Sequence, residues 1–198
     1  MAKSKKEDDI SQIIHDVHSY GLNTLTREIF LCCNTHNDND DGGEITSISA
    51  AMFIKNLKIL ESLSKDPIVI HQYSVGGCWN SGMAIYDSIL KSNCYITFVT
   101  HGIAASMGSI IPQAADKRLS MFDCEWLIHD GSLEISGNYK KVSSHIDFYK
   151  RNRQRMLEIY ALRTKVSEKK LKSMFSLKED WLLSSNEALE YGFIDEII

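Results

Sequence analysis

The sequence predicts an α/β fold, a mainly parallel sheet with helices packed on it and one long helix toward the C-terminal half. Three observations carry this. Short apolar runs alternate with amphipathic stretches in the order β-α-β-α-β-α-β up to about residue 130. Most of those runs are apolar on both faces, as strands covered on both sides are. Finally, residues 139–164 keep one helical period for about seven turns. The 198 residues, 43% of them hydrophobic, suit a single domain spanning 1–198, with 1–22 as an N-terminal segment.

Taken in order, Ile10, Ile13, Ile14 and Val17 fall on one helical face. TREIFLCC (26–33) reads as a strand and THNDNDDGGE (35–44) as a solvated loop. That loop suggests a calcium site, but the register fails. With Gly42 at the sixth position the twelfth is Ile48, and with Gly43 there it is Ser49, so the bidentate glutamate is missing. No metal is expected. SISAAMFIKNLKILESLSK (47–65) is a helix, and PIVIHQYSV (67–75) is a buried strand. The pair Gly76-Gly77 precedes the helix WNSGMAIYDSILKS (79–92), which leads to the strand CYITFVTHGIA (94–104).

Ser106 opens the next helical run, SIIPQAA. KRLSMFDCEWLIHD (117–130) reads as one strand, with Phe122, Cys124, Trp126 and Ile128 on one face and His129 at its end on the other. In the long helix, Val142, Ile146, Tyr149, Arg153, Met156 and Tyr160 form a stripe that calls for a partner surface. SEKKLKSMFS and SNEALEYG read as short helices, and FIDEII as a closing strand.

Composition narrows the function classes. The net charge is −4 and the basic residues form no long block, so nucleic acid is not an expected partner. The start, MAKSKKEDD, has no apolar signal core behind it, and no run reaches membrane-spanning length. A cytoplasmic protein without membrane contact is expected. The five cysteines, Cys32, Cys33, Cys78, Cys94 and Cys124, are odd in number and contain no C-x-x-C pair; core packing is the expected role for all. No cofactor motif is present, and none is expected.

Two loops at the carboxyl ends of strands share an edge where open α/β sheets bind ligands: SVGG (74–77) and AASMG (104–108). A strand passing into a helix through small residues can expose the Ser106 hydroxyl as a nucleophile. The motif is A-x-S-x-G, one glycine short of the nucleophile elbow, and close packing of small residues explains it equally well. Backbone N–H groups around Gly76, Gly77 and Met107 are candidate oxyanion donors. Of seven histidines, His15, His18, His36 and His145 fall on surface helix or loop, and His71 lies within a strand. His101 stands five residues before Ser106 along its strand. His129, ending the next strand, is the candidate base. Asp130, Asp147, Asp180 and Asp195 all remain candidates for the orienting acid.

The series GIAASMGS, LIHD and KEDWLLSSNEALEYGFIDEI, together with SGMAIYDSI at 81–89, resembles the proteolytic subunit of the Clp protease family from about Ile68 to the C-terminus. The resemblance implies a Clp protease/crotonase-like fold in which 139–164 is the handle helix. It also implies a serine endopeptidase that cleaves peptides or unfolded proteins inside a homo-oligomer of stacked heptameric rings, with a ring ATPase unfoldase as partner. Carried over by position, Ser106 is the nucleophile, His129 the general base and Asp180 the triad acid. Gly77 and Met107 take the oxyanion-hole positions. The sequence departs from the family pattern at Val75, where a proline is usual, at Asp130-Gly131, where Gln-Pro is usual, and at Lys165, where a glycine is usual. Asp130 is therefore a second candidate partner for the imidazole. Two alternatives compete: a catalytically inert ring subunit, and a crotonase-type acyl-CoA enzyme, which needs no serine–histidine pair.

Overall fold

The computed structural model describes residues 2–31, 43–132, 134–177 and 180–198. In chain order the elements are α1 (Ala2–Tyr20), β1 (Leu22–Asn23), β2 (Glu28–Leu31), β3 (Glu44–Ile45), α2 (Ser47–Leu63), β4 (Ile68–Ser74), β5 (Gly76–Gly77), α3 (Trp79–Leu90), β6 (Ile96–Ala105) and α4 (Met107–Ile110). After α4 comes a 3₁₀ turn (Ile111–Ala114), then β7 (Lys117–Ser120), β8 (Glu125–Ile128), α5 (Tyr139–Arg163), α6 (Glu168–Leu177), β9 (Trp181–Ser184), α7 (Ser185–Tyr191) and β10 (Glu196–Ile197).

The main sheet runs β1-β2-β4-β6-β7-β10, parallel throughout except for β1 at the edge. Its strands alternate in burial. Ile68 and Ile70 of β4 and Ile96 and Phe98 of β6 point into a core that also takes Phe53, Leu57 and Leu60 of α2 and Ile85 and Ile89 of α3. Helix α2 starts where the sequence can cap it: Thr46 and Ser49 bond each other's backbone N–H groups in a capping box.

The feature that shapes the edge carrying the SVGG and AASMG loops is a fork in β6. Thr97–Thr100 pair with β7, whereas Ile103–Ala105 pair with β8. Between the two halves the β4–β6 register slips, from Gln72 opposite Thr100 to Ser74 opposite Ala104. Gly102 stands at this slip with φ +61°, a bend that a side chain would resist. Strand β8 is paired on its other side by antiparallel β9, so β6, β8 and β9 make a three-stranded arm leaving the main sheet.

Several sequence expectations change here. KRLSMFDCEWLIHD is two strands joined by a turn at 121–124, because β6 turns from one neighbour to the other. Cys124, Trp126 and Ile128 are buried as expected, but Phe122 lies in the turn and is 65% exposed. Strand β9 was not anticipated. Cys94 and Cys124 are buried, whereas Cys78 is exposed at the start of α3, so core packing does not account for it. Within α1, Ile13 and Val17 are half-buried while Ile10 and Ile14 face outward. Cys32, Cys33, His36 and loop residues 35–42 lie outside the described residues.

Helix α5 matches the expected span and divides into two halves. Met156, Leu157, Ile159 and Tyr160 are buried in this chain's own core. There Tyr160 meets Phe193 edge-on, and Phe193 in turn meets Trp181. Toward the N-terminal end Ile146 and Phe148 are 37% and 42% exposed. Part of the stripe thus packs internally, and part remains open.

Candidate active site

Ser106 follows the last residue of β6 and precedes α4. Its φ of 52° and ψ of −120° place an L-residue in a region that glycine favours, at a cost of roughly 1–3 kcal/mol. Several bonds hold the turn there. Ser106 N–H donates to Leu127 O at 3.0 Å, tying it to β8. Its carbonyl accepts from Ser109 N–H at 2.9 Å and from Ser109 Oγ at 2.6 Å, and Ser109 Oγ also bonds the hydroxyl of fully buried Tyr160 at 2.7 Å. Gln72, buried on β4, donates to Gly108 O at 2.8 Å and fixes the next turn of chain.

The glycine pair lies alongside. Gly76 and Gly77 have φ of +99° and +141°, and as β5 they pair with β3. Ser74 Oγ donates to Gly43 O at 2.6 Å and accepts from Gly76 N–H at 3.1 Å, which sets the loop's entry. A Cβ at Gly76 would come within 3.2 Å of Met107 N. Gly76 therefore lies directly beside the first N–H of α4, a group with no partner within the helix, whereas the nearest neighbours around Gly77 are Ile45 and Glu44 of β3. Just beyond, the Cys78 thiol is held below the ordinary cysteine value chiefly by hydrogen bonds from Ser81.

His129 and Asp180 are brought together by the pairing of β8 with β9. The register ends with Ile128 opposite Trp181, and one step further puts His129 opposite Asp180. Their facing atoms, Nδ1 and Oδ1, are 3.4 Å apart. His129 Nε2 is buried and makes no hydrogen bond, so a Ser106 Oγ–His129 bond is not formed in this structure. Ser106, His129 and Asp180 sit at the ends of three adjacent strands, on one edge.

The other candidate acids are engaged elsewhere. Asp130 Oδ2 accepts from Arg153 Nε of α5 at 2.8 Å, and the Tyr149 hydroxyl donates to Asp130 O at 2.7 Å. Burial first, and then the Asp130 charge, push the Tyr149 phenol upward, so it remains a donor. Asp195 is held by buried Arg118 through Nε and backbone N–H. Asp147 lies at the surface, 3.8 Å from Lys150. Among the other histidines, His71 Nδ1 and His101 Nε2 bond each other at 3.0 Å away from this edge, and burial lowers the His101 pKa.

The sequence places Tyr149, Arg153 and Tyr160 on the α5 stripe and gives Ser109 no role. The helical spacing of the three α5 residues is visible in the sequence; their polar partners are not, because those come from other elements. No cluster of three or more metal-ligating side chains occurs among the described residues. No helix of the described residues is long and apolar enough to cross a membrane.

Comparison with known proteins places this edge in context. The Clp protease family matches residues 40–198. The ATP-dependent Clp protease proteolytic subunit of Deinococcus radiodurans is 29% identical over 160 residues, covering 79% of this chain and 78% of the relative. Subunit 2 of the same protease from Pseudomonas aeruginosa is 32% identical over 162 residues, with the same coverage. Among solved structures, a ClpP1 mutant from Listeria monocytogenes superposes with a TM-score of 0.76 at 30% identity, over 88% of this chain and 92% of that one. With its forked parallel sheet, its long helix and four-fifths of its length matched, this chain belongs to the Clp protease family.

Proposed function

We propose that the chain is a serine endopeptidase, acting on peptides or unfolded proteins inside a ring-shaped homo-oligomer. The observation that carries this is the alignment of Ser106, His129 and Asp180 at the ends of β6, β8 and β9. The Asp180 carboxylate only accepts hydrogen bonds, so it favours the tautomer with a proton on Nδ1. That leaves the Nε2 lone pair as the base. Ser106 Oγ attacks the peptide carbonyl as Nε2 takes its proton, and Asp180 stabilises the resulting imidazolium. The oxyanion falls to the N–H groups of Gly77 and Met107. Collapse of the tetrahedral intermediate passes the proton from Nε2 to the leaving amine, and water repeats the sequence on the acyl-enzyme. Both the 3.4 Å His129–Asp180 separation and the unmade Ser106–His129 bond have to tighten as substrate binds, as catalytic contacts of an unliganded site commonly do.

In this reading the chain is one domain, α5 is the handle between two stacked heptameric rings, and a ring ATPase supplies unfolded substrate. The relatives' names, proteolytic subunits of an ATP-dependent protease, support that assembly. A fluorophosphonate probe tests the chemistry. The wild type should gain one probe mass on Ser106, and Ser106→Ala none. No labelling of a folded, assembled wild type would instead identify an inert ring subunit.

A further inference from the structure

Three polar side chains on α5, Tyr149, Arg153 and Tyr160, lie within about 40° of one another around the helix at 100° per residue. They reach the two sides of the candidate site separately. Arg153 Nε donates to the Asp130 carboxylate at 2.8 Å, and Tyr149 Oη donates to the carbonyls of Asp130 and Gly131 at 2.7 and 3.2 Å. Both grip the chain immediately after His129. Tyr160 bonds Ser109 Oγ at 2.7 Å, and Ser109 Oγ donates to the Ser106 carbonyl at 2.6 Å. The two contact points on α5 are seven residues apart on one rigid rod.

We propose that α5 is the frame that sets the spacing between Ser106 and His129, with Arg153 and Tyr160 as its positioning residues. The inference deepens the serine-peptidase reading and rests on it. Tyr160 is fully buried and Arg153 is turned onto Asp130, so both are placed to act through other residues. Arg153 acts through Asp130 on His129, and Tyr160 acts through Ser109 on the Ser106 turn. The C-terminal half of α5 is locked into the core at Met156, Leu157 and Tyr160, whereas its N-terminal end is exposed.

The test uses the assembled protein and five variants: Arg153→Gln, Arg153→Lys and Tyr160→Phe, with Ser106→Ala as the unlabelled control and His129→Gln for signal assignment. Peptide kinetics and the fluorophosphonate labelling rate are read together with the His129 ring signal by NMR, assigned with His129→Gln. Arg153→Gln and Tyr160→Phe should each lower kcat and the labelling rate about 10- to 100-fold, the scale of a small misplacement. KM should stay within about twofold, because substrate contacts are untouched. Arg153→Lys should restore most of the loss, and the His129 signal should move in Arg153→Gln but not in Arg153→Lys. Wild-type labelling rates in Arg153→Gln and Tyr160→Phe, or a loss that Arg153→Lys does not restore, would overturn the frame. If the wild type is not labelled on Ser106, the peptidase reading fails and the NMR signal alone decides. Movement on Arg153→Gln upholds the frame, and an unmoved signal overturns it.

Discussion

A Cβ placed on Gly76 would stand 2.6 Å from the Cβ of Ser106. The glycine loop and the serine turn are therefore packed to contact, with no space for even one methyl group between them. Gly76 also has φ +99°, so its side-chain-free backbone is required twice over, for conformation and for proximity.

Gly76→Ala should then injure the site more than the fold. The added methyl group must push the Ser106 turn or the loop aside, at a cost of about 1–3 kcal/mol in stability. Probe labelling should fall by about 100-fold or more, because the proposed oxyanion donors, the N–H groups of Gly77 and Met107, are displaced with the loop. Thermal unfolding and the labelling rate, compared with the wild type, check both expectations.

The two aspartates near His129 should separate clearly. Asp180→Asn should cost about 10⁴ in turnover by favouring the wrong imidazole tautomer. Asp130→Asn removes only the charge facing Arg153 and should cost no more than about 10²-fold. Steady-state kinetics of both variants decide the matter, and a larger loss in Asp130→Asn would reassign the acid.

The open half of α5 predicts an assembly contact. Replacing Ile146 and Phe148 with aspartate puts two charges on its exposed apolar surface while leaving Tyr149 and Arg153 in place. Native mass spectrometry should show the wild type as a large oligomer and the double variant as smaller species. A wild type that is monomeric at micromolar concentration and active on peptides would remove the ring from the reading.

Stability in acid should depend on Asp195. Burial raises its pKa, but the hydrogen bonds and charge of Arg118 outweigh this and hold the carboxyl below its ordinary value. A group depressed in the folded state contributes fully above its unfolded pKa of about 3.9 and loses that contribution as pH falls through the folded value. Asp195→Asn should lower stability at pH 7 by about 1–3 kcal/mol, since buried Arg118 loses its counter-charge. It should also flatten the fall in stability below about pH 4. Chemical denaturation at pH 7, 4 and 3 measures both effects.

The order of strands and helices was legible because buried strands and amphipathic helices leave direct periodic traces. IVIHQYS, ITFVTHGIAA and the 25 residues of α5 carry theirs plainly. The β7–β8 break was not legible, since a strand that ends because its neighbour forks looks continuous in its own sequence. Strand β9 escaped for a related reason: four residues, Trp181–Ser184, alternate in burial but are too few for a clear period. That strand matters to the site, because the β8–β9 pairing brings Asp180 to His129. Residue types alone left four aspartates open. Three of them are now seen beside a cation, Arg153, Arg118 or Lys150, and only Asp180 faces the imidazole.

The backbone at Ser106 has a consequence for how this protein can change. A glycine there would adopt φ 52° and ψ −120° without penalty, so Ser106→Gly should raise the melting temperature even as it removes the hydroxyl. Stability and chemistry thus pull in opposite directions at a single position. A lineage selected only for a robust shell would drift toward glycine there. In the serine-peptidase reading, the serine at that position gives up some fold stability in return for a reactive oxygen.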